Sequence, residues 1–445
     1  MKTVKTQVRI LILASLIFYA WHDALLLLLL LTSAGVNILT SFYVIHNKKN
    51  KKLIASIGVI SNLSILAFFK YSGLIAKTVL NDSDFSEFLI SIPLPIGISF
   101  FTFQGISLLV DVYKENHFEN KKIIPNSLAT HAQNTLFFIA FFPQLIAGPI
   151  VKAHDFLPQI KIKTLNTINW EKCFKNILTG YFLKMVIADN LKDFTFWISY
   201  PYFESKDSVS LVTMLFGYSN QIFADFAGYS LIAIGIAGLF GYNLHDNFNF
   251  PYISTSFKEF WKRWHISLSS FLMEYLYIPI GGNRKGKYRT YINLMITMIL
   301  GGLWHGAAWS YAIWGLFHGL ALALERVFSP YTRKIKFPGI RFLQWITIFS
   351  LVTIAWLLFK LPEFDHVIKY IEAIYNNFTI SFERPLVIKI LIYSSPILIY
   401  HLIYLYVNNF GKKHLKRFEF IFYSIMLLLI LVNSGTPGDF IYFQF

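Results

Sequence analysis

The sequence predicts an all-α integral membrane protein, a multi-helix bundle, on three observations. Apolar residues make up 55% of the 445. Charged residues are 14%, where an ordinary soluble domain carries about 25%. The basic residues fall in short clusters between long apolar runs, and the mean hydropathy is +0.51. This composition excludes a disordered chain, a collagen-like chain and a typical soluble enzyme. The single cysteine, Cys173, excludes an intrachain disulfide, a cysteine-cluster zinc site and an iron–sulfur cluster.

A span takes about 20 mostly apolar residues. Runs of that character lie near 9–21, 23–45, 53–79, 88–110, 127–150, 174–190, 208–224, 227–243, 291–308, 309–328, 341–361, 385–407 and 418–433. Some are short or broken by Pro and Gly, so about 11 spans are expected, with one or two re-entrant or interfacial pieces. No cleavable signal peptide is expected, because Met1 to Arg9 leads into apolar residues without a small-residue cleavage site. No internal repeat or long linker divides the chain, so residues 1–445 read as a single membrane-embedded unit.

The net charge of +16 would suggest nucleic acid in a soluble protein. Here the clusters Lys48–Lys52, Arg284–Lys287, Arg333–Lys336 and Lys412–Arg417 sit in loops, where such residues hold a loop on the cytoplasmic side. The partner is therefore lipid and not nucleic acid. Lys48–Lys52 marks a cytoplasmic loop. The next loop, with Asp82, Asp84 and Glu87 and no nearby Lys or Arg, is read as external.

Four segments carry more than hydrophobicity. Pro93 to Gly105 holds two prolines and two glycines in an apolar run, which predicts a kinked helix or a re-entrant element lining a cavity. Phe141 to Lys152 places Gln144 in apolar surroundings, where it needs a hydrogen-bond partner. Gly148-Pro149 ends that helix and makes a structural corner. In Ser256 to Ser269, a helical period puts Phe260, Trp261, Trp264 and Leu268 on one face and Lys258, Lys262 and Ser269 on the other. That pattern predicts a helix lying in the membrane interface. His265, on the boundary beside Trp261, either points into a site at the membrane surface or only bonds locally. Tyr275 to Arg284 follows, where Pro279 and the pair Gly281-Gly282 predict a tight backbone before Asn283.

The fourth segment, Leu300 to Trp309, is the sharpest. His305 lies inside a long apolar run, and ionisable residues at membrane depth are costly and functional by default. On a continuous helix, Gly301, Gly302, Ala308 and Ala312 surround His305 together with Met298 and Trp309. Such small residues leave room for a neighbouring helix or a thin substrate. His318, in Trp314 to Gly319, is read as supporting structure or substrate placement. Asn62, Asp111, Lys184, Asp189 and Asp225 are further polar residues in apolar runs. Snorkelling is the expectation for Lys184 and Asp189, near a segment end. The chain lacks a GxxxxGK[ST] loop, a GxSxG elbow and an HExxH pair, so phosphate-driven transport, serine hydrolysis and that zinc chemistry are not expected.

With these motifs in hand, the chain resembles the membrane-bound O-acyltransferases, closest to the branch that O-acetylates alginate and other bacterial envelope glycans. The residues carrying the likeness are Phe142-Pro143-Gln144 to Gly148-Pro149, Ala188-Asp189-Asn190, Asp225 to Ser230, Asn247 to Tyr252, Phe260 to Ser269, Tyr277 to Gly286, Gly301 to Trp309 and Phe440 to Phe445. It runs from about residue 15 to 445. The resemblance implies a helical bundle around a central tunnel in the bacterial cytoplasmic (inner) membrane, with the catalytic motifs concentrated in 256–319. It implies acyl transfer with His305 as the central catalytic residue and His265 as the second. Trp304, Trp261, Trp264, His318, Lys258, Lys262, Arg263, Asn283 and Arg284 are the candidate substrate-binding residues. One departure is visible. Relatives usually carry a further hydrophobic segment before the stretch that is here Phe18-Tyr19-Ala20-Trp21, so either one helix is absent or the start lies upstream.

Burial in an apolar site favours a neutral imidazole, and a neutral imidazole can act as a base. The expectation is that His305 deprotonates an acceptor hydroxyl that attacks the thioester of acetyl-CoA. Lys258, Lys262 and Arg263 would suit the CoA phosphates, as they would suit lipid headgroups. No metal and no bound cofactor are expected. A secreted SGNH-type acetyltransferase and polysaccharide machinery are the expected partners. D-alanyl transfer to teichoic acid is the nearest alternative. A polysaccharide or ion transporter is the alternative from another class.

Overall fold

The computed structural model describes residues 3–21, 24–47, 49–80, 83–115, 124–146, 148–332, 337–379, 382–411, 417–438 and 440–441. Lys48, Asp82, Arg333–Lys336, Lys412–Lys416 and Tyr442–Phe445, which entered the sequence reading, lie outside them. The regular secondary structure of the described residues is helix, without strands. Among the described residues, five helices are long and apolar enough to cross a membrane: Ala24–His46, Lys51–Val79, Ser208–Leu239, Ile340–Lys360 and Arg384–Phe410. That is fewer than the apolar runs in the sequence, because several runs break into shorter pieces. The run at 174–190 passes from the Trp170–Tyr181 helix into a π-turn at Phe182–Ala188. The run at 88–110 is split by Pro93–Gly97, and its helix starts at Ile98, after Gly97 at φ +78°. In the opposite sense, the two runs expected at 208–224 and 227–243 are one helix, Ser208–Leu239.

Large apolar side chains remain exposed along these helices. In Glu419–Val432 no residue is buried, and Leu431 is 75% exposed. Contiguous apolar surface on that scale is not tolerated in water, so it faces lipid and the protein is a multi-pass membrane protein.

The chain divides into two compact units: Met1–Cys173 with Ala233–His245, and Phe174–Ile232 with Asp246–Phe445. In the first, Phe137, Phe141, Phe156 and Tyr242 form a fully buried aromatic cluster. Several buried polar side chains there make hydrogen bonds. Asn37 and Asn62 exchange amide hydrogen bonds of 3.1 and 2.9 Å between neighbouring helices. Gln144 donates to the Phe138 carbonyl at 2.8 Å, and its short helix stops at Leu145, ahead of the Gly148-Pro149 corner. The fully buried Asp111 carboxylate accepts from the backbone N–H and the Nδ1–H of His154, at 3.2 and 2.8 Å.

The second unit contains both histidine motifs. Its helices approach closely where glycines remove the side chain. A Cβ on Gly228 would stand 2.8 Å from the Gly180 carbonyl, and one on Gly180 would stand 2.7 Å from the Gly228 carbonyl. That contact brings Lys184 onto Asp189 and Asp225, at 2.7 and 2.8 Å. Lys184 and Asp189 are buried and do not snorkel, contrary to the sequence expectation, because the counter-ions lie inside the unit.

His154 lies outside the helices that qualify as spans. The hydrogen bond to Asp111 outweighs the cost of burial and holds its pKa above the ordinary imidazole value. A histidine whose folded pKa is raised contributes stability that is fully present below its unfolded pKa, about 6.5, and lost as pH rises through the folded pKa. Thermal unfolding of the detergent-solubilised protein tests this. His154→Gln should lower the midpoint most near pH 6, with the deficit shrinking at alkaline pH. A deficit that grows with pH would contradict it.

Candidate active site

His305 is the last residue of the Gly286–His305 helix, and Gly306 leaves the helix in an extended conformation, φ −161°. The chain then turns back into Trp309–Thr332. This corrects the continuous helix expected across residues 301–312. Ala308, Trp309 and Ala312 lie on the far side of the turn, and Trp309 is 56% exposed. The glycines serve close packing of the two helices, one of the alternatives the sequence left open. A Cβ on Gly302 would overlap the Tyr311 carbonyl, and one on Gly315 would overlap the Met298 carbonyl. Small residues at such positions let helix backbones touch.

The turn delivers the His305 ring, 3% exposed, into an aromatic enclosure. Its centroid is 5.1 Å from Trp304, 5.4 Å from Trp314, 5.0 Å from Phe359 and 6.1 Å from His265.

His265 reaches the same place through a second break. The interfacial helix expected over 256–269 is two helices, Phe257–Arg263 and Ile266–Leu272, with His265 between them at φ +43°. A left-handed backbone costs an L-residue about 1–2 kcal/mol, so neighbouring contacts must impose it. Asn247 supplies them. Its carbonyl accepts from Ile266 N at 2.9 Å, and its Oδ1 accepts from Ser267 Oγ at 2.9 Å and from His265 Nδ1 at 3.1 Å. Asn247 Nδ2 in turn donates to Ser230 Oγ at 3.1 Å. An amide oxygen only accepts, so with this amide orientation His265 carries its proton on Nδ1 and the lone pair on Nε2. The ring is fully buried, and Phe226 meets it edge-on at 4.6 Å.

The other candidates divide. Trp304 lies against both histidines, 5.1 Å from His305 and 6.0 Å from His265. Trp261 and His318 form a group one ring further out. His318 is 4.6 Å from Trp314 and 5.2 Å from Trp261, and Trp314 separates it from His305. Trp264 packs into the core of the unit. It is 1% exposed and packs on Phe248, Phe260 and Trp356. Arg263 is 2.9 Å from Glu259 and donates to the Asn249 carbonyl at 3.0 Å. Burial would push the Glu259 carboxyl up, but bonds from Thr255 and Arg263 hold it below the usual carboxylate range. Lys258, Lys262, Asn283 and Arg284 are exposed. Asn283 accepts from Tyr277 Oη at 2.5 Å and Arg326 Nη1 at 3.3 Å, in a turn where Gly281 and Gly282 take φ +122° and +52°.

Sequence reasoning assigned no site role to Asn247, Phe226, Trp314 or Phe359. Asn247, Phe226 and Trp314 did lie in quoted stretches, Asn247–Tyr252, Asp225–Ser230 and Trp314–Gly319, and Asn247 is the amide at the head of its motif. Its link to His265 depends on the fold.

Two imidazoles 6.1 Å apart, one with its tautomer fixed, inside an aromatic wall, can address one reacting group from two sides. Proton transfer at a hydroxyl is chemistry such a pair supports. Comparison with known proteins gives the same direction. The model of the membrane-bound O-acyltransferase family matches residues 126–362, which include Asn247, His265 and His305. The peptidoglycan O-acetyltransferase of Helicobacter pylori is 38% identical over 393 residues, 82% of this chain and 72% of that one. The probable alginate O-acetylase AlgI of Pseudomonas aeruginosa is 35% identical over 381 residues, 82% and 69% of the two chains. The teichoic acid D-alanyltransferase of Bacillus subtilis is 28% identical over 268 residues, 58% and 65% of the two chains. The protein is an acyltransferase and belongs to the membrane-bound O-acyltransferase family.

Proposed function

We propose that this acyltransferase takes acetyl from acetyl-CoA at the cytoplasmic face of the bacterial inner membrane and delivers it to a hydroxyl acceptor on the outer side, for O-acetylation of an envelope polysaccharide or peptidoglycan. The observation that carries the reading is the His265–His305 pair, buried in a membrane protein and oriented by Asn247. The names of the relatives at 35–38% identity support acetyl as the group transferred. The likeness to the D-alanyltransferase is weaker and shorter.

In this reading the acceptor hydroxyl enters between the two rings. His305 removes its proton as the oxygen attacks the thioester carbonyl. The tetrahedral intermediate collapses with cleavage of the C–S bond, and the thiolate leaves and takes up the proton. His265, its ring fixed by Asn247, packs against the acceptor from the other side and holds it towards His305. The aromatic wall of Trp304, Trp314 and Phe359 keeps water from competing for the acyl group. The exposed Lys258 and Lys262 are available to the CoA phosphates, whereas the Arg263 guanidinium is already held by Glu259. A secreted SGNH-type acetyltransferase would carry the acetyl group to the glycan.

Labelled acetyl-CoA supplied to inverted membrane vesicles tests the function. Wild-type protein should move label into an acceptor or a partner, and His305→Ala should abolish transfer with the protein still in the membrane. Transfer at the wild-type rate in that variant would contradict the role of His305. Label delivered only from a D-alanyl carrier would replace acetyl with D-alanine.

The positioning of His265 gives a graded test. Asn247→Leu removes the acceptor for both His265 and Ser267 and should lower turnover by about 100-fold, the scale of a 1 Å misplacement. Ser230→Ala removes only the outer bond and should cost less than about 10-fold. Equal effects of the two, measured as kcat on the same vesicles, would contradict the assignment.

A further inference from the structure

Residues Asn433–Gly438 are not helical and are exposed to half-buried, and Phe440 and Ile441 beyond them are buried in the second unit. Backbone without helical bonds must find partners in protein when it is buried in a membrane fold. Here they come from three elements, the π-turn Phe182–Ala188, the helix Asp189–Thr195 and the helix Ser208–Leu239. Asn190 Nδ2 donates to the Asn433 carbonyl at 3.0 Å, Lys192 Nζ to the Thr436 carbonyl at 3.0 Å, and Lys184 Nζ to the Gly438 carbonyl at 3.0 Å. Gly435 N donates to the Met185 carbonyl at 2.9 Å, and Ile441 N to Asp225 Oδ2 at 2.7 Å. Gly435 lies so close that a Cβ would stand 2.5 Å from the backbone of Asp189 and Asn190. Lys184 and Met185 belong to the π-turn, a device that occurs often at functional sites.

Lys184, Asp189 and Asp225 are all buried. A buried ion cluster is weak evidence for stability, since apolar packing can replace it. What discrete donors and acceptors do supply is a single register for the segment they hold. That register has a path to the catalytic pair. Phe440, fully buried, packs on Tyr229 at 4.3 Å and on Phe226 at 5.8 Å. Phe226 is the neighbour of Asp225 and makes the edge-on contact with His265 at 4.6 Å. The same stretch of helix thus holds the segment at Asp225 and touches the catalytic ring at Phe226.

We propose that the Asn433–Ile441 segment is a positioning element for acyl transfer, latched by Lys184, Asp189 and Asp225 and acting on His265 through Phe440 and Phe226. The proposal rests on the reading of His265 and His305 as the transfer site. Its residues are positioning residues. They touch neither acyl donor nor acceptor.

Two measurements test it. Limited proteolysis of the full-length protein in membranes reads the latch. The segment should be protected in the wild type and cleaved at least about 10-fold faster in Asp225→Asn and Lys184→Met. In the pair Lys184→Met/Asp225→Leu, which removes one cation and one anion together, thermal stability should recover while the segment stays exposed. Steady-state acyl transfer reads the coupling. Phe440→Ala should lower kcat by about 10- to 100-fold, as for a displaced catalytic group, with the donor KM within about 2-fold of wild type. Phe440→Leu should restore most of the rate. A segment that stays protected in Asp225→Asn and Lys184→Met, or a wild-type kcat in Phe440→Ala, would overturn the proposal. If the wild type transfers no acyl group, the functional reading fails, and the proteolysis result still stands on its own.

Discussion

One amide oxygen organises the site. Asn247 Oδ1 accepts from the His265 ring and from Ser267, while the Asn247 carbonyl accepts from Ile266. Without these bonds, the left-handed backbone of His265 has nothing to offset its cost, and a run of residues with helical periodicity would continue as one helix. With them, the chain breaks at Trp264–His265 and the imidazole turns inward towards His305. The interaction therefore sets the local fold, the tautomer and the position of the ring together.

The second histidine arrives by a different route. Its helix ends, and Gly306, where a Cβ would overlap the Tyr311 ring, takes the extended step that starts the turn. The close packing of Gly302 and Gly315 fixes the two helices against each other, so the turn that carries the histidine is held by backbone contact. Both rings lie within one aromatic enclosure that includes Trp304, Trp314 and Phe359.

Much of this was legible in the sequence because the physics is one-dimensional there. Low charge and long apolar runs dictate helices in lipid, and a histidine amid Gly and Trp at membrane depth stands out by its cost. The breaks were not legible. Phe260, Trp261, Trp264 and Leu268 keep helical spacing across residue 265, and periodicity cannot register a contact with Asn247. The wheel around His305 failed for the same reason at Gly306. Residues 208–224 and 227–243 read as two runs on either side of Asp225, yet one helix runs through it, with Lys184 neutralising it from another helix. A charge ends a buried helix only when it is unpaired, and pairing is a tertiary fact. The aromatic residues of the 256–269 segment had equal claims by sequence. In the fold Trp264 is core, Trp261 lines an outer group, and only Trp304, from the other motif, meets both histidines.

The central claim is that the two histidines flank the acyl carbon during transfer. The most direct measurement is an experimental structure with a non-hydrolysable thioether analogue of acetyl-CoA. The account predicts the acyl carbonyl between the rings of His265 and His305, with the aromatic wall around it. An acyl group bound elsewhere, with the His305 ring turned towards lipid, would contradict it.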